Sequence, residues 1–318
     1  MRKVKFICFS DIQIEDFKRH NKSPEYRLKI NGTILNTVRD LCIRHECPAI
    51  FCGDLFDDPQ GLSNKVLDRT ADWLNDFRRY KIKIFMIDGN HDQSEKNTLV
   101  NRSPNYVSTF SKIYSNIINI SDNTIVHGNW TIKGIPYMTD KRDFLEVLKK
   151  TTRADILLIH TSLPGLKEPN GMELIVDYLD PKELKEQFNR FKIVLNGHIH
   201  KPQQAFDNVY TLGATHQQRL SDIGQEMGIW LMYDDYKMAF IPLRTPQFEY
   251  LEEGTKPAND IDFFITVPKE VEDKTKTGIK FAPTHSSNAL AEKYMKAKGI
   301  KSRRKQELLF KYLNNARK

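Results

Sequence analysis

The residues able to do chemistry fall into five short clusters: Asp11-Ile12-Gln13, Gly53-Asp54-Leu55-Phe56-Asp57, Gly89-Asn90-His91-Asp92, a solitary His160, and Gly197-His198-Ile199-His200. Any one of them reads as ordinary turn chemistry, since Gly, Asp and Asn all favour turns. Turns explain the set poorly. Each cluster closes an apolar, strand-like run, and together they gather carboxylate, amide and imidazole donors with no thiolate. Such hard and borderline donors suit a divalent cation such as Mn, Fe or Zn.

The elements that must position these clusters are legible from hydrophobic spacing. Val4 to Phe9 (VKFICF) reads as a buried strand, and Tyr26 to Glu46 carries an apolar face at helical spacing. PAIFCGD is a second strand, Leu62 to Tyr80 a second helix, and KIFMID a third strand running into Gly-Asn-His-Asp. Strands alternating with helices imply a largely parallel sheet, whose ligands bind at the carboxyl ends of its strands. Further along, Ile125 to Ile135 reads as a hairpin, Lys141 to Lys150 and Pro181 to Asn189 as helices, and ADILLIH and FKIVLNG as strands. VYTLG, GIWLMYD and KMAFIPL follow closely enough to pair antiparallel. The expected fold class is α/β: two sheets packed on each other and flanked by helices, with a small C-terminal capping domain and a basic helical tail. The expected boundaries are 1–250 for the main domain, 251–286 for a linker and reduced cap, and 287–318 for the tail.

The 318 residues are 39% hydrophobic and 28% charged, as in a soluble globular protein. No apolar run approaches the roughly 20 residues of a membrane span, so no membrane association is expected. The four cysteines (Cys8, Cys42, Cys47, Cys52) form no CxxC pair, and Cys8 and Cys52 sit in strand-like runs as small hydrophobes. That usage points to a reducing cytosol. The formal charge of +8 resides in the tail, because Asn288 to Lys318 holds ten Lys or Arg against two acidic residues. Leu308, Leu309, Tyr312 and Leu313 give that tail one helical face. Two readings of the tail stay open: a solvated basic run that touches nothing specific, or a docking segment with Arg303, Arg304, Lys305, Leu309 and Tyr312 as its candidate contacts with DNA or a partner.

GDLFD, GNHD, the lone His160 and GHIH, preceded by an Asp-x-Gln where Asp-x-His is usual, resemble the signature of the calcineurin-like metallophosphoesterases. GDLFDD, DGNHD, NGHIHKPQ and YTLGATHQQRLSD resemble more narrowly the SbcD-type DNA-repair nucleases and the related phage recombination endonuclease subunits. The likeness covers roughly residues 1 to 250. It implies two divalent metal ions, Mn(II) foremost. Asp54 would lie between them, Asp11, Gln13 and His200 at the first, and Asn90, His160 and His198 at the second. His91 would contact the scissile phosphate and protonate the leaving oxygen, Asp92 would orient that imidazole, and Asp57 would support the site. Paired cations of this kind clamp phosphodiester oxygens and acidify a shared water.

The departure is Gln13. An amide oxygen is a weaker donor than imidazole for these metals. Three outcomes stay open: a weakened but working first position, replacement by another side chain such as His20, or loss of the first ion and of catalysis. For function, the resemblance implies a DNA exo- or endonuclease in recombination or repair, acting with an SbcC-type SMC-like ATPase subunit, and homodimerisation is common in the family. A small-molecule or phosphoprotein phosphoesterase of the same fold is the second reading. A catalytically silent DNA-binding or scaffold subunit is the third.

Overall fold

The computed structural model describes residues 2–16, 24–58, 61–169, 171–252, 254–257, 259 and 262–267. The chain divides into two units, one made of Met1–Leu251 with Lys256–Ile265, the other of Glu252–Thr255 with Thr266–Lys318. The tail lies outside the described residues, and with it the expected contacts Arg303, Arg304, Lys305, Leu309 and Tyr312.

The first half alternates as its spacing requires: β1 (Val4–Phe9), α1 (Pro24–His45), β2 (Ala49–Phe51), α2 (Asn64–Arg79), β3 (Ile84–Met86), α3 (Tyr106–Ile113) and β4 (Ile117–Asn119). There follow β5 (Thr124–His127), β6 (Trp130–Ile135), α4 (Lys141–Lys150), β7 (Ala154–His160), α5 (Pro181–Phe188), β8 (Phe191–Gly197), β9 (Gln203–Phe206), β10 (Val209–Thr211), β11 (Gly228–Tyr233) and β12 (Met238–Pro242). A two-stranded sheet of β13 (Phe248–Glu252) and β14 (Phe263–Val267) completes the set.

One six-stranded sheet has the order β12-β11-β1-β2-β3-β4, the other β5-β6-β7-β8-β10-β9. Strands β1 to β4 are mutually parallel, as are β6, β7, β8 and β10. Period-two alternation in β1 sends Phe6 and Cys8 to one face and Ile7 and Phe9 to the other. Phe6 and Cys8 meet Ile50, Cys52, Ile156, Leu158, Ile193 and Leu195 in a core between the sheets. Ile7 and Phe9 join the apolar faces of α1 and α2 on the outside. Helices α4 and α5 cover the outer face of the second sheet through Phe144, Leu148, Leu184 and Phe188. The architecture is the expected two-sheet sandwich flanked by helices.

One expected pairing differs. VYTLG does not pair with GIWLMYD: β10 lies in the second sheet, parallel to β8, whereas β11 crosses to the first sheet and runs antiparallel to β1. The loop between them, residues 212–227, is long enough to change sheets, and sequence proximity alone could not reveal the crossing.

Candidate metal centre

Every cluster lies at the carboxyl end of a strand. Asp11 and Gln13 follow β1, Asp54 follows β2, Asn90 and His91 follow β3, His160 ends β7, and His198 and His200 follow β8. The first three come from one sheet and the last two from the other, so the site straddles the seam of the sandwich.

The backbone is bent hard to bring them in. Asp11 (φ 50°), Gln13 (φ 43°), Asp54 (φ 62°) and His198 (φ 82°) all occupy the left-handed region, which costs a non-glycine residue about 1–2 kcal/mol. Backbone bonds hold the bends: the Asp11 amide donates to the Gly53 carbonyl at 3.0 Å and the Gln13 amide to the Asp54 carbonyl at 3.1 Å.

Asp54, His160 and His198 are close enough that one ligand atom of each lies within 4.8 Å of the others. Asn90 Oδ1 sits 2.8 Å from His198 Nδ1 and 3.2 Å from His160 Nε2. Asp54 Oδ2 is 3.3 Å from the same His160 nitrogen. Four expected donors therefore converge. His160 Nδ1 donates to the Cys52 carbonyl at 2.6 Å, which fixes the tautomer and leaves Nε2 as the lone-pair donor.

Charge in the site is tightly coupled. Burial opposes ionisation of Asp54, but the His160 imidazole outweighs it and holds the carboxyl well below the usual range. Burial likewise opposes the His160 imidazolium, and the Asp54 carboxylate overcomes it, raising His160 to about 9. His198 goes the other way: burial and then the nearby His160 charge push it well below its ordinary value, leaving it neutral and able to ligate.

The donors expected for the first ion, Asp11, Gln13 and His200, are all buried. Asp11 Oδ2 accepts the His198 amide at 3.0 Å, while its Oδ1 is buried without a hydrogen-bond partner. An orphaned carboxylate oxygen in a buried site is the mark a cation would leave, because an unsatisfied buried charge is costly. His200 Nδ1 donates to Asp222 Oδ2 at 3.2 Å, again leaving Nε2 as the lone-pair nitrogen. The residues around Asp54, His160 and His198 fit a divalent ion, and the orphaned Asp11 oxygen is the one mark of a cation at the expected first position. His20, the alternative donor for the first position, lies outside the described residues.

His91 and its neighbours divide their work. The His91 amide donates to Asp54 Oδ1 at 2.8 Å, and its ring Nδ1 donates to the carbonyl of Asp57, leaving Nε2 as the free ring nitrogen. Asp57 supports the site through that carbonyl. Asp92 takes the amides of Asp54 (2.8 Å), Leu55 (2.9 Å) and Gly89 (2.9 Å), so its carboxylate ties the β2 and β3 loops together, and the His91 ring is oriented by Asp57. Burial and the Asp54 charge push the Asp92 carboxyl up to about 7.

Two neighbours of the donors carried little sequence signal. Asp222 sits in a 3-10 turn (Leu220–Asp222) far along the chain, and only the YTLGATHQQRLSD resemblance pointed to its segment. Tyr137 places its ring 5.4 Å from that of His198 and 6.1 Å from that of His160, with no motif around it to mark it.

The family model for calcineurin-like phosphoesterases matches residues 4–202, more than half of the chain and all of the donors described. The chain belongs to that family. A search among curated proteins finds no match. Among solved structures it is similar to a Pseudomonas putida nuclease MPE (12% identity, 71% of this chain and 84% of that one, TM-score 0.31). It is also similar to a hypothetical protein from Thermus thermophilus (14%, 70% and 80%, TM-score 0.36). A third match is a dimetal phosphatase from Danio rerio (13%, 73% and 93%, TM-score 0.41). At these identities and scores the three matches carry nothing about activity.

Proposed function

We propose that this metallophosphoesterase is a two-metal phosphodiesterase that cleaves DNA, and that it works in the cytoplasm as the nuclease subunit beside an SbcC-type ATPase. The observation that carries the catalytic part is the convergence of Asp54, Asn90, His160 and His198 beside a His91 ring held through Nδ1 alone. Asp11, Gln13 and His200 would hold the first ion, Asn90, His160 and His198 the second, with Asp54 shared. When bound, the ions, Mn(II) foremost on the family resemblance, would supply Lewis acidity and acidify a water.

The remaining roles fall to the chain itself. His91 Nε2 delivers a proton to the departing oxygen, and the Asp57 carbonyl keeps that nitrogen aimed outward. Asp92 holds the two loops in register through three amides, so the Asp54 carboxylate and the His91 ring keep a fixed relation. DNA as substrate, and the ATPase as partner, rest on the SbcD-type wording of the motifs and on the basic tail.

The test is cleavage of end-labelled linear duplex DNA across a Mn(II) titration, with His91→Ala as the control. Cleavage that needs metal and vanishes in the variant, while metal content is kept, is the expected result. Wild-type protein that binds metal and DNA yet cuts neither DNA nor a small phosphodiester at any Mn(II) level, alone or with the ATPase, would make it a silent subunit with Gln13 as the lesion.

A further inference from the structure

A groove of about 630 Å³ is lined by Lys96, Asp140, Lys141, Ile175, Asp177 and Tyr178 among others. Its inner end is Lys141, the first residue of α4. A cation is out of place there, because the N-terminus of a helix already carries partial positive charge. The side chain is nevertheless drawn inward: Nζ donates to Thr161 Oγ1 at 2.8 Å and stands 4.8 Å over the Tyr137 ring. Thr161 directly follows His160, and Tyr137 packs toward His198.

Among the described residues no carboxylate lies within ion-pair distance of Lys141, and the neighbouring Asp140 is paired with Arg142. Burial pulls the Lys141 ammonium down to about 8, so it stays charged at neutral pH in surroundings that disfavour the charge, and an arriving anion would offset that cost. At the outer end Ile175 and Tyr178 are 90% and 66% exposed, and Tyr178 is held at a positive φ of 66° with Arg142 over its ring. A lysine one residue-contact away from His160 and His198, followed by an exposed aromatic, is the combination that single nucleic-acid strands use: a charge for the backbone and a face for a base.

We propose that Lys141 holds the substrate phosphate adjacent to the scissile one and that the groove from Lys141 to Tyr178 carries the flanking strand, so the site favours a polynucleotide over an isolated phosphodiester. This rests on the phosphodiesterase reading above and gives it a substrate class.

The test uses the full chain with Mn(II), comparing Lys141→Met, which keeps the aliphatic stem, Lys141→Arg and Tyr178→Ala. Substrates are a labelled oligonucleotide and bis(p-nitrophenyl) phosphate, a diester with no second phosphate. Loss of one phosphate contact lowers the slope of log affinity against log salt by about 1. Lys141→Met is therefore expected to weaken oligonucleotide binding about tenfold at moderate salt with that change in slope, and to lose several-fold more activity on DNA than on the small diester. Lys141→Arg should recover most of the slope. Tyr178→Ala should weaken binding about fivefold or more, as loss of a stacked base does, with the slope unmoved. Equal losses on both substrates, or an unaltered salt slope in Lys141→Met, would overturn the Lys141 assignment alone. Wild-type protein that hydrolyses the small diester but no DNA would overturn the nuclease reading and this one with it.

Discussion

Gly89→Ala is the smallest change that should disable the centre. An added Cβ at residue 89 would stand 2.1 Å from Asp54 Oδ1, 2.6 Å from the Asp54 amide nitrogen and 2.7 Å from His160 Cε1. The carboxylate has to retreat by about 1.3 Å to reach the 3.4 Å of ordinary contact. It cannot do so freely, since Oδ1 accepts the His91 amide at 2.8 Å and Oδ2 lies 3.3 Å from His160 Nε2. Moving it separates the donors of the second ion, and displacement of about 1 Å in a catalytic group costs on the order of 10²-fold in rate. Overpacking of this kind costs about 1–3 kcal/mol of stability, or roughly 5 °C in Tm for a domain of this size. The assay is kcat on bis(p-nitrophenyl) phosphate with metal content measured on the same preparation. Gly165→Ala is the control, because its added Cβ meets nothing within 4 Å, and its φ of +81° makes it pay about 1 kcal/mol of strain without touching the site. A Gly89→Ala protein that keeps more than a third of wild-type kcat and full metal content would refute the placement of Asp54 and His160 as joint donors.

Gln13→His restores the stronger donor for these metals, so half-maximal activity should need about tenfold less Mn(II); an unchanged requirement means that another side chain already completes the first position. Asp222→Ala removes the acceptor that sets the His200 tautomer and should weaken metal affinity about 10- to 100-fold, read by competition with a chelating dye, whereas unaltered affinity would take His200 out of the ligand set. Metal uptake should depend on pH. His160 is raised to about 9, so it holds a proton at neutral pH that a metal must displace. Affinity should thus rise about tenfold per pH unit from 7 toward 9 and then level off, and calorimetry in buffers of different ionisation enthalpy should register the released proton. Uptake independent of pH across that window would mean His160 is not a donor.

Much of this centre is legible in the amino-acid sequence alone, because β-α alternation makes neighbouring strands parallel, with their carboxyl ends on one edge, and five polar clusters sit at those ends. Less legible are the bonds to the main chain and between distant segments. Asp92 reads as a partner for the adjacent His91 ring, yet in a tight 3-10 turn (Asn90–Asp92) its side chain points back to the amides of Gly89, Asp54 and Leu55. Asp222 meets His200 only because the chain between β10 and β11 crosses sheets. Lys141 looks like any first-turn surface lysine until Tyr137 and Thr161 are seen beneath it.

The seam has a consequence for folding. Asp11, Asp54 and Asn90 hang from one sheet, His160, His198 and His200 from the other, and the two are joined by long stretches of chain. An ion bound by donors from both acts as a removable cross-link between the halves of the sandwich, closing loops of the order of a hundred residues as a disulfide would. Occupancy and cohesion of the two sheets would then be a single equilibrium, in which bound metal helps to hold down the strained backbone positions around it. Chelation should loosen the sandwich itself, and a thermal melt in the presence of a chelator would read the state of the centre without any substrate at all.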